Sequence, residues 1–220
     1  MKQLFITLIA IFLFSIEAMS QNRYPQGLYM SFDEIRQHQP SVLCSLQVVR
    51  RSNFDISMNG GNDYKIESDD KAYKKSIKKK AWAYSDGDTL YINCLKFKAQ
   101  PWYAKVDGYG KYLLFYGGIS TQVNEYFKTS LASFMFGIVG GAIAGASAAH
   151  LRYYYAVDTD TGKMNLITLQ FLDKVLSASD ASIYTEFQKD THSIDSVKNE
   201  GQKAETEKVI TQKYVKYINL

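Results

Sequence analysis

The chain has 220 residues, with 26 Lys and Arg against 22 Asp and Glu, a net charge of +4 and 46% hydrophobic residues. A chain of this size buries roughly 70% of its unfolded surface, so it needs neither metal nor disulfide to fold. The mild positive charge does not imply a nucleic-acid partner.

The first 20 residues have the order of a secretory signal peptide. Lys2 supplies the positive start, and Leu4 to Ile16 is an uncharged run rich in Leu, Ile and Phe. Ala18-Met19-Ser20 then places small residues where a signal peptidase reads. The apolar run is too short to span a bilayer, which takes about 20 residues, so a cleaved signal is favoured over an anchor. The expected working chain is Gln21–Leu220, exported to the periplasm or cell envelope. No cysteine follows the cleavage site, so a lipoprotein is not indicated.

The expected organisation is a first β-rich part over residues 21–130, an apolar segment over 131–149, a completing part over 150–192, and a linker with an amphipathic helix over 193–220. Ser31 and Glu34 form a capping box for a short helix ending near His38. Pro40 stops that helix, and Ser41 to Val49 reads as a strand. Asn59-Gly60-Gly61-Asn62-Asp63 is a turn cluster. Lys71 to Lys80 holds six lysines in ten residues. This run reads as a solvated face or edge-strand protection, with attraction to anionic lipid head groups as its sharper reading.

Three aromatic and β-branched pairs of runs follow, each joined by an Asp/Gly turn. They are Trp82–Tyr84 with Thr89–Ile92, Tyr103–Val106 with Lys111–Tyr116, and Arg152–Val157 with Lys163–Ile167. Such hairpins predict an antiparallel sheet. Three helical stretches close the chain: Leu169, Leu172, Val175 and Leu176 behind Thr168; Ile183, Tyr184 and Phe187 behind Asp180; and Val209, Ile210, Tyr214, Val215 and Ile218. Ser193 to Ala204 reads as a loose linker. The fold class expected is α+β: an antiparallel β-rich domain with short C-terminal helices and an apolar helical insertion.

That insertion, Leu131 to Ala149, carries no charge in 19 residues. Ser133, Gly137, Gly141, Gly145 and Ala149 recur every four residues, which puts small side chains on one helix stripe. This glycine-zipper pattern lets a second helix approach to backbone distance. As a helix the segment would be ~28 Å long, enough to cross a hydrocarbon core. Three arrangements remain open: a single crossing, a helical hairpin turning at Gly140-Gly141, and a core helix on the sheet. A crossing would separate strands that look like one sheet.

Chemistry is sparse. His38, His150 and His192 stand apart, without zinc-ligand spacing, and no nucleophile elbow or P-loop occurs. Asp86 with Asp88, and Asp158 with Asp160, sit in turns, where aspartate is expected for local hydrogen bonding. No catalytic, cofactor or metal residues are therefore assigned. Cys44 and Cys94 would pair in an oxidising compartment or remain two buried thiols. The 17 tyrosines offer either cross-strand pairs or a sugar-binding platform.

Three patches carry a family resemblance. Gly27-Leu28-Tyr29-Met30-Ser31-Phe32-Asp33-Glu34, closed by Gln39-Pro40-Ser41, resembles the G-x-Y-x-S-F-x-E opening of uncharacterised exported proteins from Bacteroidota-type bacteria. Trp82 to Asn93 is similar to their W-G-F-x-D-G-x-x-I-Y-I-N hairpin, with Ala83 in place of the glycine. Arg152 to Ile167 is similar to their Y-L-x-D-x-x-T-G-K segment. The resemblance implies a domain of unknown function and transfers no catalytic residue. The expected role is a non-enzymatic envelope protein that associates with a membrane or with itself through the zipper. The competing expectation is a secreted binding module for glycan or peptide.

Overall fold

In chain order, the elements are β1 (Gly27–Tyr29), α1 (Phe32–Gln37), β2 (Gln47–Arg50), α2 (Asn53–Asn59), β3 (Tyr64–Glu67), α3 (Lys71–Lys79), β4 (Ala83–Ser85), β5 (Leu90–Asn93), β6 (Tyr103–Gly108), β7 (Tyr112–Gly117), β8 (Tyr153–Asp158), β9 (Met164–Leu166), α4 (Leu169–Leu176), α5 (Ala181–Asp195) and α6 (Glu200–Tyr214). They come from a computed structural model that describes residues 24–122 and 151–220. The expected signal segment, residues 1–20, the zipper stripe from Ser133 through Gly137, Gly141 and Gly145 to Ala149, and His150 all lie outside the described residues. The chain divides into two compact units: Met1–Val48 with Ile66–Tyr91, and Val49–Lys65 with Ile92–Leu220.

In the first unit, β1 pairs antiparallel with β4, Leu28 opposite Tyr84. The other edge of β1 meets Val42, whose carbonyl accepts from the Leu28 amide at 2.9 Å. Gly27 makes this approach feasible. Its φ is +150°, and a Cβ there would sit 2.5 Å from the Val42 carbonyl oxygen. The capping box forms as expected: the Glu34 amide donates to Ser31 Oγ at 3.2 Å. Glu34 Oε2 in turn accepts from the Met30 and Ser41 amides. His38 ends α1 in the left-handed region and donates its amide to the carbonyls of Glu34 and Ile35.

The strand expected over Ser41–Val49 is broken into a single bridge at Val42 and the short β2. Between them a tyrosine replaces the ladder. The Leu46 amide donates to Tyr84 Oη at 2.9 Å, and the Tyr84 hydroxyl donates to the Leu46 carbonyl at 3.1 Å. The lysine run is α3, capped by Asp70, with Ile77 buried. β4 and β5 are sheet neighbours across the expected Asp86-Gly87 turn, closed by the Asp86 amide to the Thr89 carbonyl.

In the second unit, β6, β7, β8 and β9 follow one another as an antiparallel ladder. The turn expected at Asp107-Gly108 falls later, because β6 continues through Gly108 with a register shift. A Cβ on Gly108 would come within 2.8 Å of Leu114, so its absence lets the bulge close. β7 and β8 share six paired positions, from Tyr112 opposite Asp158 to Gly117 opposite Tyr153. One face of this ladder contributes Leu114 and Ala156 to a core completed by Leu172, Leu176, Phe187, Ile210 and Tyr214 of the helices.

Thr168 and Asp180 cap α4 and α5 as the sequence predicts. The loose linker expected at Ser193–Ala204 is mostly helix. α5 runs to Asp195 and α6 begins at Glu200, capped by Asn199. Ile194, seven residues after Phe187, continues the buried stripe, which is why α5 does not stop at 192. These two helices have 15 residues each and are not short. Val209, assigned to the apolar face, is 54% exposed. The fold class is thus mixed, an antiparallel sheet with several helices. Among the described residues no helix is long and apolar enough to cross a membrane.

Candidate functional site

A dense polar arrangement among the described residues lies in the second unit, around the Asn59–Asp63 turn. Gly60 and Gly61 both have positive φ, as the turn cluster predicts. Arg51, with its side chain fully buried, donates from Nη1 to the carbonyls of Gly60 (2.6 Å) and Asn62 (2.8 Å). Its Nε reaches Asp55 Oδ2 at 2.9 Å, and Lys65 Nζ reaches the same oxygen at 2.8 Å. Hydrogen bonds from Arg51, Lys65 and Asn59 hold the Asp55 carboxyl well below the usual carboxylate range. Arg51 and Lys65 both lie over the Trp102 ring, 5.4 and 5.0 Å from its centre.

A second guanidinium grips the same turn. Arg152 donates to Asp63 Oδ1 at 2.8 Å and to the Gly61 carbonyl at 3.0 Å. Asn62 spans outward, donating to the Gln100 carbonyl and accepting from the Gly118 amide at 2.7 Å. Every charge in this network has an opposite partner and satisfied carbonyls. Its chemistry is that of a clasp, holding the turn to the segment before β6 and to the segment after β7. Sequence reasoning found the turn but missed Arg51 and Arg152, because each acts on residues fixed only by tertiary contacts.

The aspartates considered from sequence sit where turn chemistry puts them. Asp86 Oδ1 accepts from the amides of Asp88 and Thr89. Asp158 Oδ1 accepts from the amides of Asp160 and Thr161 and from the Thr161 hydroxyl. Burial raises the Asp158 pKa, but these bonds and the charge of Lys111 outweigh it, so the net shift is downward. His38 stacks on Tyr24 at 4.3 Å, and His192 Nδ1 lies 2.6 Å from the Gln188 carbonyl oxygen. Among the described residues no group of three or more His, Cys, Asp or Glu is placed to hold a metal ion. Cys44 and Cys94 are both free thiols, and burial pushes the Cys94 thiol far up.

The tyrosines build both kinds of structure. Tyr116 and Tyr154 form a cross-strand pair 4.5 Å apart, and Phe115 stacks on Tyr155 on the other face. Tyr154 also borders an open cleft of about 490 Å³ with Tyr109, Leu114 and Val215, and with Asp107 and Lys216 at hand as opposite charges. Asn219 fastens this edge by exchanging two hydrogen bonds with the Tyr112 backbone, at 3.0 and 2.9 Å. Apolar floor, ring faces and one charge of each sign suit a sugar ring or a short peptide.

The family whose model matches the chain, over residues 27–219, is described as a "Family of unknown function (DUF6563)". No curated protein and no solved structure matches.

Proposed function

The chain belongs to DUF6563, a family of unknown function, and we propose that it is an exported, non-enzymatic protein of the cell envelope. Its association element is the apolar segment Leu131–Ala149. The stripe of Ser133, Gly137, Gly141, Gly145 and Ala149 packs helix against helix, within a membrane or between two copies. Residues 1–20 direct export.

The observation that carries this reading is the β7–β8 ladder, in which Gly117 faces Tyr153. The chain leaves the sheet and returns to it at one place. That favours a there-and-back excursion turning at Gly140-Gly141 over a single crossing, which would put β7 and β8 on opposite sides of a membrane. The engagement of Asp55, Asp63, Asp86 and Asp158 in clasps and turns supports a non-catalytic role.

Fractionation of native cells, with a carbonate wash of the membranes and an intact mass, tests the proposal. Carbonate-resistant or oligomeric protein beginning at Gln21 is expected. A soluble monomer, or a mass that retains residues 1–20, overturns it.

The tyrosine-edged cleft favours a second reading, a secreted binding module for glycan or peptide. Titration with soluble oligosaccharides and peptides, followed by tyrosine fluorescence, would then show saturable binding that Tyr154→Ala abolishes.

A further inference from the structure

We propose that the exposed face of α3 docks the protein on a membrane surface of anionic phospholipid. Lys71, Lys74, Lys75 and Lys78 follow the i, i+3, i+4, i+7 spacing that places side chains on one face of a helix. All four are exposed, while Ile77 and Tyr73 turn inward. Among the described residues none of the four pairs with a carboxylate.

Helix physics accounts for only part of this charge. Lys78 and Lys79 lie in the last turn, where the helix dipole favours cations. Lys71 and Lys74 stand in the first turn, where the dipole favours anions, and the like charges of Lys71, Lys74, Lys75 and Lys78, three and four residues apart, repel. No acidic residue lies within Lys71–Lys79 to offset them. Glu67, Asp69 and Asp70 all precede the helix, and Asp70 is spent as its cap, accepting from the Ala72 amide at 2.8 Å. A local cost maintained on an open face points to an anionic partner.

Trp82 narrows the partner to a lipid surface. It follows the helix by three residues, is half-buried, and packs edge-on against Phe32 at 6.0 Å. An indole three residues beyond a lysine-rich helix suits the head-group layer, where ring and ammonium both find their medium. The inference rests on the envelope reading only for which membrane the protein meets. It needs no insertion of residues 131–149.

The test is co-sedimentation of the full chain with vesicles of phosphatidylcholine alone, or mixed equally with phosphatidylglycerol. Salt-sensitive binding to the anionic vesicles is expected. The triple variant Lys71→Gln, Lys74→Gln, Lys75→Gln should bind roughly a hundredfold more weakly. Glutamine keeps helix propensity, and circular dichroism checks the fold. A control with the same loss of charge, Lys163→Gln, Lys174→Gln, Lys198→Gln, should bind as the parent does. Unchanged binding in the first triple, equal loss in the control, or a preference for soluble polyphosphate over the vesicles overturns the proposal. The zipper reports separately, as salt-insensitive retention on neutral vesicles, so either idea fails without the other.

Discussion

Gly117 and Tyr153 are Cα partners at the end of the β7–β8 ladder, although 35 residues separate them in sequence. The ladder between Tyr112 and Gly117 and between Tyr153 and Asp158 is closed by its own hydrogen bonds, so the sheet has no need of the intervening apolar stretch for its register. Replacing residues 123–150 with a short Gly/Ser linker should therefore leave a cooperatively folding protein. Thermal unfolding followed by near-ultraviolet circular dichroism checks this. The same variant should lose membrane retention or self-association, whereas loss of cooperative unfolding would mark residues 123–150 as part of the core.

Arg51 tests the clasp. Its side chain is fully buried and pairs with Asp55 while holding the carbonyls of Gly60 and Asn62. Arg51→Ala removes the cation and leaves those carbonyls without their donor, the Asn62 carbonyl in a buried position. Asp55 keeps Lys65 as its partner, so the expected destabilisation is that of the unpaired carbonyls, about 2–3 kcal/mol, read from urea unfolding. A loss under ~1 kcal/mol, the scale of a surface pair, would mean the clasp is incidental.

Acid should weaken the fold through two aspartates. Hydrogen bonds from Arg51 and Lys65 lower the pKa of Asp55, and the hydrogen bond from Lys213 lowers that of Asp190. A carboxyl whose folded pKa lies below its unfolded value of ~3.9 contributes stability above that pH and loses it as pH falls through the folded pKa. Denaturant midpoints should thus hold steady near neutrality and fall below about pH 4. Asp190→Asn removes the titrating carboxylate while its amide oxygen can still accept from the Tyr214 hydroxyl, and it should flatten that fall. An unchanged pH profile in the variant would refute the assignment.

Much of the fold was legible because local chemistry dictates it. The Ser31–Glu34 box, the caps Thr168 and Asp180, and the aspartate turns at Asp86 and Asp158 all form where spacing put them. Elements set by distant partners were not legible. Leu46 reads as strand, yet its backbone groups go to the hydroxyl of Tyr84, 38 residues away. Gly108 reads as a turn but is a bulge fitted to Leu114. Ser193–Ala204 reads as polar linker because only Ile194 in α5 and Ile210 beyond reveal the buried side of two helices. The clasp of Arg51 and Arg152 was invisible for the same reason: an isolated arginine carries no sign of which carbonyls it will hold. The cleft depends on Asn219 meeting Tyr112 across 107 residues, which no spacing encodes.

The central claim is that residues 131–149 associate through one stripe of small side chains. The most direct measurement compares Gly141→Leu with Ala142→Leu by sedimentation of the full chain, alongside melting temperature. Bulk at Gly141 would force two backbones apart, whereas equal bulk at Ala142 lies off the stripe. The account predicts that Gly141→Leu abolishes assembly or membrane retention, with Ala142→Leu close to the parent and both melting alike. Equal association of the two variants would contradict it. So would a loss of stability of about 1–3 kcal/mol in Gly141→Leu without any change in association, the signature of an overpacked core helix.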